Sequence, residues 1–153
     1  MFYRTLATML LLAGTAHAAD PATDACSLLS PAAISKALGQ TYSAPEKSVA
    51  PRPFPNTNQG TDCFFKSGGH QLWLRVYVDP SPAASTELFA RLKQFYGAGS
   101  TDVSGLGDEA YLDKQQAIHV RKGKVRYYIN QSESTPTREQ NVKTLATKVA
   151  GQL

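Results

Sequence analysis

The chain has 153 residues, of which 42% are hydrophobic, 9% aromatic and 18% charged, and this length and composition are typical of a single globular domain. Two cysteines are too few for a disulfide scaffold or a thiolate zinc site, and the glycines and prolines follow no collagen-like period. The net charge of +4 is uneven, because residues 114–153 carry +6 whereas residues 19–113 carry −3. This asymmetry suggests either a basic face or a merely solvated surface.

Residues 1–18 are typical of a signal peptide. Arg4 precedes an apolar stretch, Leu6–Ala13, and residues 16–18 read Ala-His-Ala, the A-x-A pattern of a cleavage site. The apolar stretch is too short to cross a membrane, and no cysteine follows it that would carry a lipid anchor. We therefore expect a periplasmic or secreted protein without a transmembrane segment; a buried N-terminal helix is the alternative.

Export would place the only two cysteines, Cys26 and Cys63, in an oxidising compartment. We expect them to form a disulfide, which would close a loop of about 37 residues and contribute roughly 3.5–4 kcal/mol in the chain-entropy model. A reactive free thiol is the alternative, but no sequence context indicates a lowered cysteine pKa.

The first part of the mature chain is predicted to hold a lead-in, a helix and a long loop. Residues 19–25 form the lead-in, and residues 26–153 a single domain. Ser30 and Pro31 are typical of a helix start and Gly39 of a helix end. Four prolines then predict a proline-rich loop over residues 40–60, with a short edge strand near residues 41–43.

The middle of the chain predicts a hairpin followed by a helix. Thr61–Lys66 and Gln71–Val78 alternate in polarity around a Ser-Gly-Gly turn. Ser81 and Pro82 then start a helix that ends at Gly97. We expect one face of this helix to be buried against the apolar face of the hairpin. That contact would join Leu88, Leu92 and Phe95 of the helix to Leu72, Leu74, Val76 and Val78 of the strand.

Three strands and a helix complete the predicted domain. The strands are Glu109–Leu112, Gln116–Arg121 and Lys124–Asn130, and a turn at Lys122-Gly123 would place Val120 opposite Val125. A helix opening at Thr135-Pro136 would present Val142, Leu145 and Val149 to the core. The order α-β-β-α-β-β-β-α predicts an α+β fold, an antiparallel sheet of about five strands with helices packed on one face.

No motif predicts an enzyme, a metal site or a cofactor. His70 and His119 lie on separate predicted strands, without an acidic residue at metal-ligand spacing. No G-x-S-x-G elbow occurs, and the adjacent Asp108 and Glu109 should point to opposite faces of a strand. Residues 105–110 resemble a truncated dinucleotide fingerprint, but a strand follows them where that motif needs a helix.

Aromatic and basic side chains gather on the polar face of the predicted sheet and form the candidate ligand site. They suit a flat anionic or sugar-like ligand through stacking and charge-assisted hydrogen bonds, although a solvated face is the alternative. The candidate residues are Trp73, Arg75, Tyr77, His119, Arg121, Lys124, Arg126 and Tyr128.

These features predict a monomeric, exported ligand-binding or sensor-like domain, whose partner would be an anionic envelope component or a peptide. A protein-interaction or inhibitor domain acting through the proline-rich loop is the alternative. A small hydrolase is a third hypothesis.

Two motifs resemble a known family. DACSLLSPAAISKALG (residues 24–39) and VSGLGDEAYL (residues 103–112) are similar to motifs of small secreted bacterial lipoproteins, a domain of unknown function best known in actinobacteria. The extracellular sensor domains of some mycobacterial receptor kinases look related. The resemblance implies an α+β domain with a Cys26–Cys63 bridge, no known enzyme activity and no catalytic residues. Matching positions are Cys26, Leu28, Leu29, Leu38, Gly39, Gly105, Gly107, Asp108, Glu109 and Ala110.

Overall fold

The structure, a computed structural model, describes residues 24–133 and 135–153. It confirms the α+β class, with four helices and seven strands. The predicted signal peptide, residues 1–18, lies outside the described residues. The elements are α1 Ala25–Leu28, α2 Pro31–Leu38, β1 Glu46–Ala50, β2 Gly60–Ser67, β3 His70–Val78, α3 Pro82–Tyr96, β4 Thr101–Asp102, β5 Glu109–Leu112, β6 Ile118–Lys122, β7 Val125–Gln131 and α4 Arg138–Ala150.

The strands form one antiparallel sheet in the order β1-β2-β3-β7-β6-β5-β4. The prediction of about five strands was therefore too low, because it lacked the two edge strands β1 and β4. The pairing of β3 with β7 joins the hairpin to the three later strands, Leu74 lying opposite Ile129. Among the described residues, no helix is long and apolar enough to span a membrane.

The predicted loop over residues 40–60 contains an edge strand, but at a different place from the one expected. Residues 41–43 are not a strand, although the Ser43 amide donates to the Lys66 carbonyl at 2.9 Å. Strand β1 occupies residues 46–50 instead, the proline-free stretch between Pro45 and Pro51. Only one side of an edge strand needs backbone partners, so prolines directly beside it are tolerated.

Two residues of the expected lead-in, Asp24 and Ala25, take part in the fold. Asp24 caps the short helix α1, its Oδ1 accepting a hydrogen bond from the Cys26 amide at 3.0 Å. The Cys26–Cys63 disulfide is confirmed and ties α1 to β2. Because Lys47 of β1 also pairs with Asp24 at 2.7 Å, Asp24 and Ala25 belong to the folded domain.

Helices α1, α2 and α4 cover the apolar face of the sheet. Ser30 caps α2 as predicted, and Gly39 ends it with a positive φ of 71°. Helix α4 starts at Arg138, two residues after the predicted Pro136. Its side chains Val142, Leu145 and Val149 are fully buried, as expected. The core that these helices share with the sheet includes Leu28, Ile34, Phe65, Leu72, Leu74, Val76, Ile118, Val120, Tyr127 and Ile129.

Helix α3 lies on the opposite, polar face, so the prediction that all helices cover one face was wrong. Its buried residues are Ser85 and Phe89, and the Phe89 ring lies 5.4 Å from the ring of Tyr111. Leu88 and Leu92 are only partly buried, and Phe95 is 67% exposed. Helices α1, α2 and α4 cover the apolar face, and on the polar face Phe89 packs against the ring of Tyr111.

The β6–β7 hairpin is shifted by two residues from the predicted pairing. Val120 lies opposite Tyr127, not Val125, because the turn residues are Gly123 and Lys124. Gly123 has a φ of 57°, which suits glycine at the first central position of a two-residue turn. A shift of two residues keeps the strand side chains on their predicted faces, but Lys124 moves from the strand into the turn.

Candidate ligand-binding cleft

A cleft of about 610 Å³ opens on the polar face of the sheet, between α3 and residues 51–53. Small-molecule sites usually have volumes of about 300–1,000 Å³, so the cleft has room for a small ligand. Six of the eight predicted site residues form its floor: Trp73, Arg75, Tyr77, His119, Arg126 and Tyr128. Its walls include Phe89, Leu92, Phe95 and Tyr96 of α3 and Pro51, Arg52 and Pro53 of the proline-rich segment.

A row of aromatic rings crosses the cleft floor. Tyr111, His119 and Tyr128 are direct cross-strand neighbours on β5, β6 and β7. The His119 ring stacks on Tyr111, with centroids 4.5 Å apart and planes at 8°, and lies 4.8 Å from Tyr128. Tyr128 meets Trp73 edge to face at 5.1 Å, and Trp73 stacks on Phe64 at 5.5 Å. Such pairs hold one another in place, so this part of the floor is preformed.

Arg75 and Trp73 share one carboxylate. Arg75 donates from Nε and Nη2 to the two oxygens of Asp62, at 2.7 and 2.8 Å, and the Trp73 indole donates to Asp62 Oδ1 at 2.9 Å. The Arg75 guanidinium also lies 4.3 Å from the centre of the Trp73 ring. A bidentate pair of this kind fixes orientation as well as distance. Asp62 therefore orients both cleft residues.

Arg126 forms a second bidentate pair, with Asp79. Nε and Nη2 of Arg126 donate to Asp79 at 2.6 and 2.8 Å, and both residues are buried. Asp79 stands between the end of β3 and the start of α3. The ion pair therefore fixes the connection that leads into the N-terminal end of α3 against the sheet. Removing one partner from such a pair leaves a buried charge without compensation.

His119 pairs with a carboxylate that sequence reasoning did not assign to it. His119 Nε2 lies 3.1 Å from Asp113 Oδ2, and Asp113 Oδ1 accepts from the backbone amides of Gln115 and Ala117 at 2.9 Å. Burial alone would raise the pKa of Asp113, but the hydrogen bonds from His119 and these amides outweigh it and lower the pKa. Asp113 is therefore a carboxylate at neutral pH.

Two of the predicted site residues, Arg121 and Lys124, are not part of the cleft. Arg121 is bound by Glu109 at 2.7 Å and Asp108 at 2.9 Å, so the expectation that these two carboxylates point to opposite faces of a strand was wrong. Asp108 precedes β5, where a strand's alternation of side chains does not apply. Lys124 lies in the β6–β7 turn and borders a separate pocket.

The cleft floor is close to electrically neutral, in contrast to the basic face predicted from the sequence. Arg75, Arg126 and His119 each face a carboxylate within 3.1 Å. Arg52, on the wall, is exposed and has no ion-pair partner among the described residues. Alternation placed the basic residues on this face correctly, but their acidic partners come from other strands and loops.

The proline-rich segment is one wall of the cleft. The Tyr77 hydroxyl donates to the Pro51 carbonyl at 2.7 Å. The Phe54 ring lies 5.8 Å from Phe95 of α3, and the guanidinium of Arg91 lies 4.3 Å from the Phe54 ring. Phe95 and Tyr96 at the end of α3 form part of the other wall, and both remain exposed.

The tyrosines of the floor are neutral donors and acceptors. Burial raises the pKa of Tyr128 to about 12 and also raises the pKa of Tyr77. Among residues 24–133 and 135–153, no group of three His, Cys, Asp or Glu side chains could hold a metal ion. The arrangement can therefore stack on a ring and exchange hydrogen bonds with it.

Comparison with known proteins adds no assignment: no protein-family model matches the sequence, and no curated protein matches it significantly. The resemblance to secreted lipoproteins stays a prediction from two short motifs.

Proposed function

We propose that this protein is an exported, ligand-binding or sensor-like domain of the cell envelope and that the cleft is its binding site. The observation that carries the proposal is the convergence of aromatic and hydrogen-bonding side chains in one concave site. A mostly apolar pocket with a few oriented polar groups is the usual form of a small-molecule site.

The interactions that hold the cleft residues support binding. Trp73 and Arg75 are held by Asp62, and Tyr77 by the Pro51 carbonyl. Side chains already held in one orientation lose little conformational entropy when a ligand arrives. A merely solvated sheet face would not need these restraints, nor a helix and a loop on either side of it.

The position of the proline-rich segment favours small-ligand binding over an inhibitor loop. The Pro51 carbonyl accepts a hydrogen bond from Tyr77 of the sheet, and the Phe54 ring contacts Phe95 of α3. A loop that inserts into a partner's active site would be expected to project from its domain, whereas this segment lies across its own sheet.

Trp73 provides a direct test, because it is the only tryptophan in the chain and it lies in the cleft floor. Mature protein would be titrated with the low-molecular-weight fraction of an envelope extract while Trp73 fluorescence is recorded. The bound compound would then be identified by mass spectrometry. We expect a saturable change in fluorescence; an unchanged spectrum with no co-purifying compound would contradict the proposal.

Two exposed side chains make a matched pair of variants for this titration. Tyr96 is 63% exposed on the cleft wall, and Val49 is 67% exposed on β1, outside the cleft. Neither substitution should alter stability by much more than about 0.5 kcal/mol, as is usual for exposed sites. Tyr96→Ala should weaken binding severalfold and Val49→Ala should leave it unchanged. Equal effects of the two would place the site elsewhere.

A further inference from the structure

The charges of the cleft point to a narrower ligand class. Resting on the proposed function, we infer that the cleft selects an uncharged, hydroxyl-bearing ring, that is, a sugar residue, over an anionic ligand. The sequence alone left both flat anions and sugars open as ligands, and the charges of the cleft favour sugars.

Carboxylates compensate the positive charges of both cleft arginines. Asp62 holds Nε and Nη2 of Arg75, and Asp79 holds the same two atoms of Arg126, at distances from 2.6 to 2.8 Å. An anion brought to either guanidinium would also approach its carboxylate. It would lose hydration without gaining an uncompensated positive charge.

A negatively charged carboxylate also lines the cleft. Asp113 belongs to the cleft and is held ionised by His119 and two backbone amides. A bound anion would be repelled by this carboxylate, whereas a hydroxyl could donate to it. The exposed Arg52 lies on the wall, where solvent and salt screen its charge.

Polar groups of the cleft can still form hydrogen bonds with a ligand. Arg75 has a side chain that is 21% exposed, and it uses only Nε and Nη2 to bind Asp62. Gln115 also lines the cleft and brings both a donor and an acceptor. A hydroxyl group can both donate and accept, so a polyol can satisfy Arg75, Asp113 and Gln115 together.

Aromatic rings give the cleft an apolar surface. Phe64 and Arg75 lie against the Trp73 ring, and Arg126 lies against the Tyr77 ring. The aromatic surface most open to a ligand is therefore that of Phe95 and Tyr96 on the wall, across from Tyr128 on the floor. Aromatic rings offer an apolar face beside a polar edge. A pyranose ring matches this pattern, because its C–H groups form apolar patches while its hydroxyls point outward.

Matched sugar pairs test the inference. The probes are glucose and glucuronate, galactose and galacturonate, and N-acetylglucosamine and N-acetylmuramate; within each pair the second member carries a carboxylate. Benzamide, benzoate and short peptides are included as non-sugar probes. Binding is followed by nuclear magnetic resonance through the indole N–H of Trp73, the only tryptophan in the chain. At least one neutral sugar should bind at least tenfold more tightly than its anionic partner.

A charge variant shows whether selectivity comes from the compensated arginine. Asp62→Asn keeps a hydrogen-bond acceptor but leaves the charge of Arg75 uncompensated, so it should raise the relative affinity for the anionic sugars about tenfold. Glu109→Gln is the matched control, because it neutralises a partner of Arg121 outside the cleft. It should leave the selectivity unchanged. Thermal melting of both variants confirms that they fold.

Each outcome separates the inference from the proposed function. Tighter binding of anionic sugars by the unmodified protein, or shifts caused only by benzamide, benzoate or peptides, would overturn the inference and leave a binding cleft in place. Equal effects of the two variants on selectivity would also overturn it. If no probe and no envelope compound shifted the Trp73 signal, the proposed function itself would fail.

Discussion

Replacing Phe89 by alanine tests the placement of α3 on which the cleft depends. Phe89 is 4% exposed and contacts Tyr111, whereas Phe95 on the same helix is 67% exposed. Removing a fully buried phenylalanine costs about 3–5 kcal/mol. Phe89 also borders the cleft, and on that open side it has fewer neighbours to lose. We therefore expect a loss of about 3 kcal/mol, the low end of this range.

Equilibrium urea unfolding measures this loss against two controls on the same helix. With a slope of about 1.5 kcal/mol per M, a loss of about 3 kcal/mol lowers the midpoint by about 2 M. Leu92→Ala, at a partly buried position, should cost about 1 kcal/mol and Phe95→Ala about 0.5 kcal/mol. A larger loss for Leu92 or Phe95 than for Phe89 would show that the other face of α3 is buried. The cleft would then not exist in this form.

Three further predictions concern the disulfide, a buried ion pair and the tyrosines. Replacing Cys26 and Cys63 by serine should lower the free energy of unfolding by about 4 kcal/mol, because the 37-residue separation sets the loop entropy. Thiol titration of the denatured, unreduced wild type should find no free thiol. Two free thiols would contradict the bridge. Asp79→Ala should cost about 3–5 kcal/mol by leaving buried Arg126 unpaired, whereas Asp102→Ala, which removes an exposed partner of Lys93, should cost less than about 1 kcal/mol in the same unfolding assay. Burial raises the pKa of Tyr128 to about 12, and since the unfolded value is about 10, the folded state binds the proton more tightly. Stability should therefore be intact below pH 10 and fall as the pH rises toward 12, and ultraviolet titration that found every tyrosine ionised near pH 10 in folded protein would refute this.

The strand faces were predictable from the sequence because alternation is a local property. Trp73, Arg75 and Tyr77 alternate with Leu72, Leu74 and Val76 within one strand, so a single strand is enough to separate the two faces. Even the two-residue shift of the β6–β7 hairpin left these faces unchanged. Most of the cleft floor could therefore be named in advance.

The position of α3 and the charge of the cleft could not be predicted in this way. The apolar residues of α3 do not specify which side of the sheet the helix covers. Helices α1, α2 and α4 cover the apolar face, and α3 packs on the other one through Phe89. The partners of Arg75, Arg126 and His119 come from β2, the β3–α3 connection and the β5–β6 loop. The pairs Asp62–Arg75 and Asp113–His119 each lie within one hairpin, so they depend on its register, whereas Asp79 and Arg126 are brought together only by the tertiary fold.

Mapping of a bound ligand by nuclear magnetic resonance tests the binding cleft most directly. The isotope-labelled mature protein would be titrated with the tightest compound from the extract or the sugar panel, and every backbone amide and the Trp73 indole would be followed. We predict that the shifts concentrate on Trp73, on the amide of Arg52 and on residues 89–96, which mark the floor and both walls of the cleft. Pro51 and Pro53 have no backbone N–H, so Arg52 alone reports on that wall. Shifts concentrated on α4 or on the edge strand β1, with the Trp73 indole unmoved, would contradict the account.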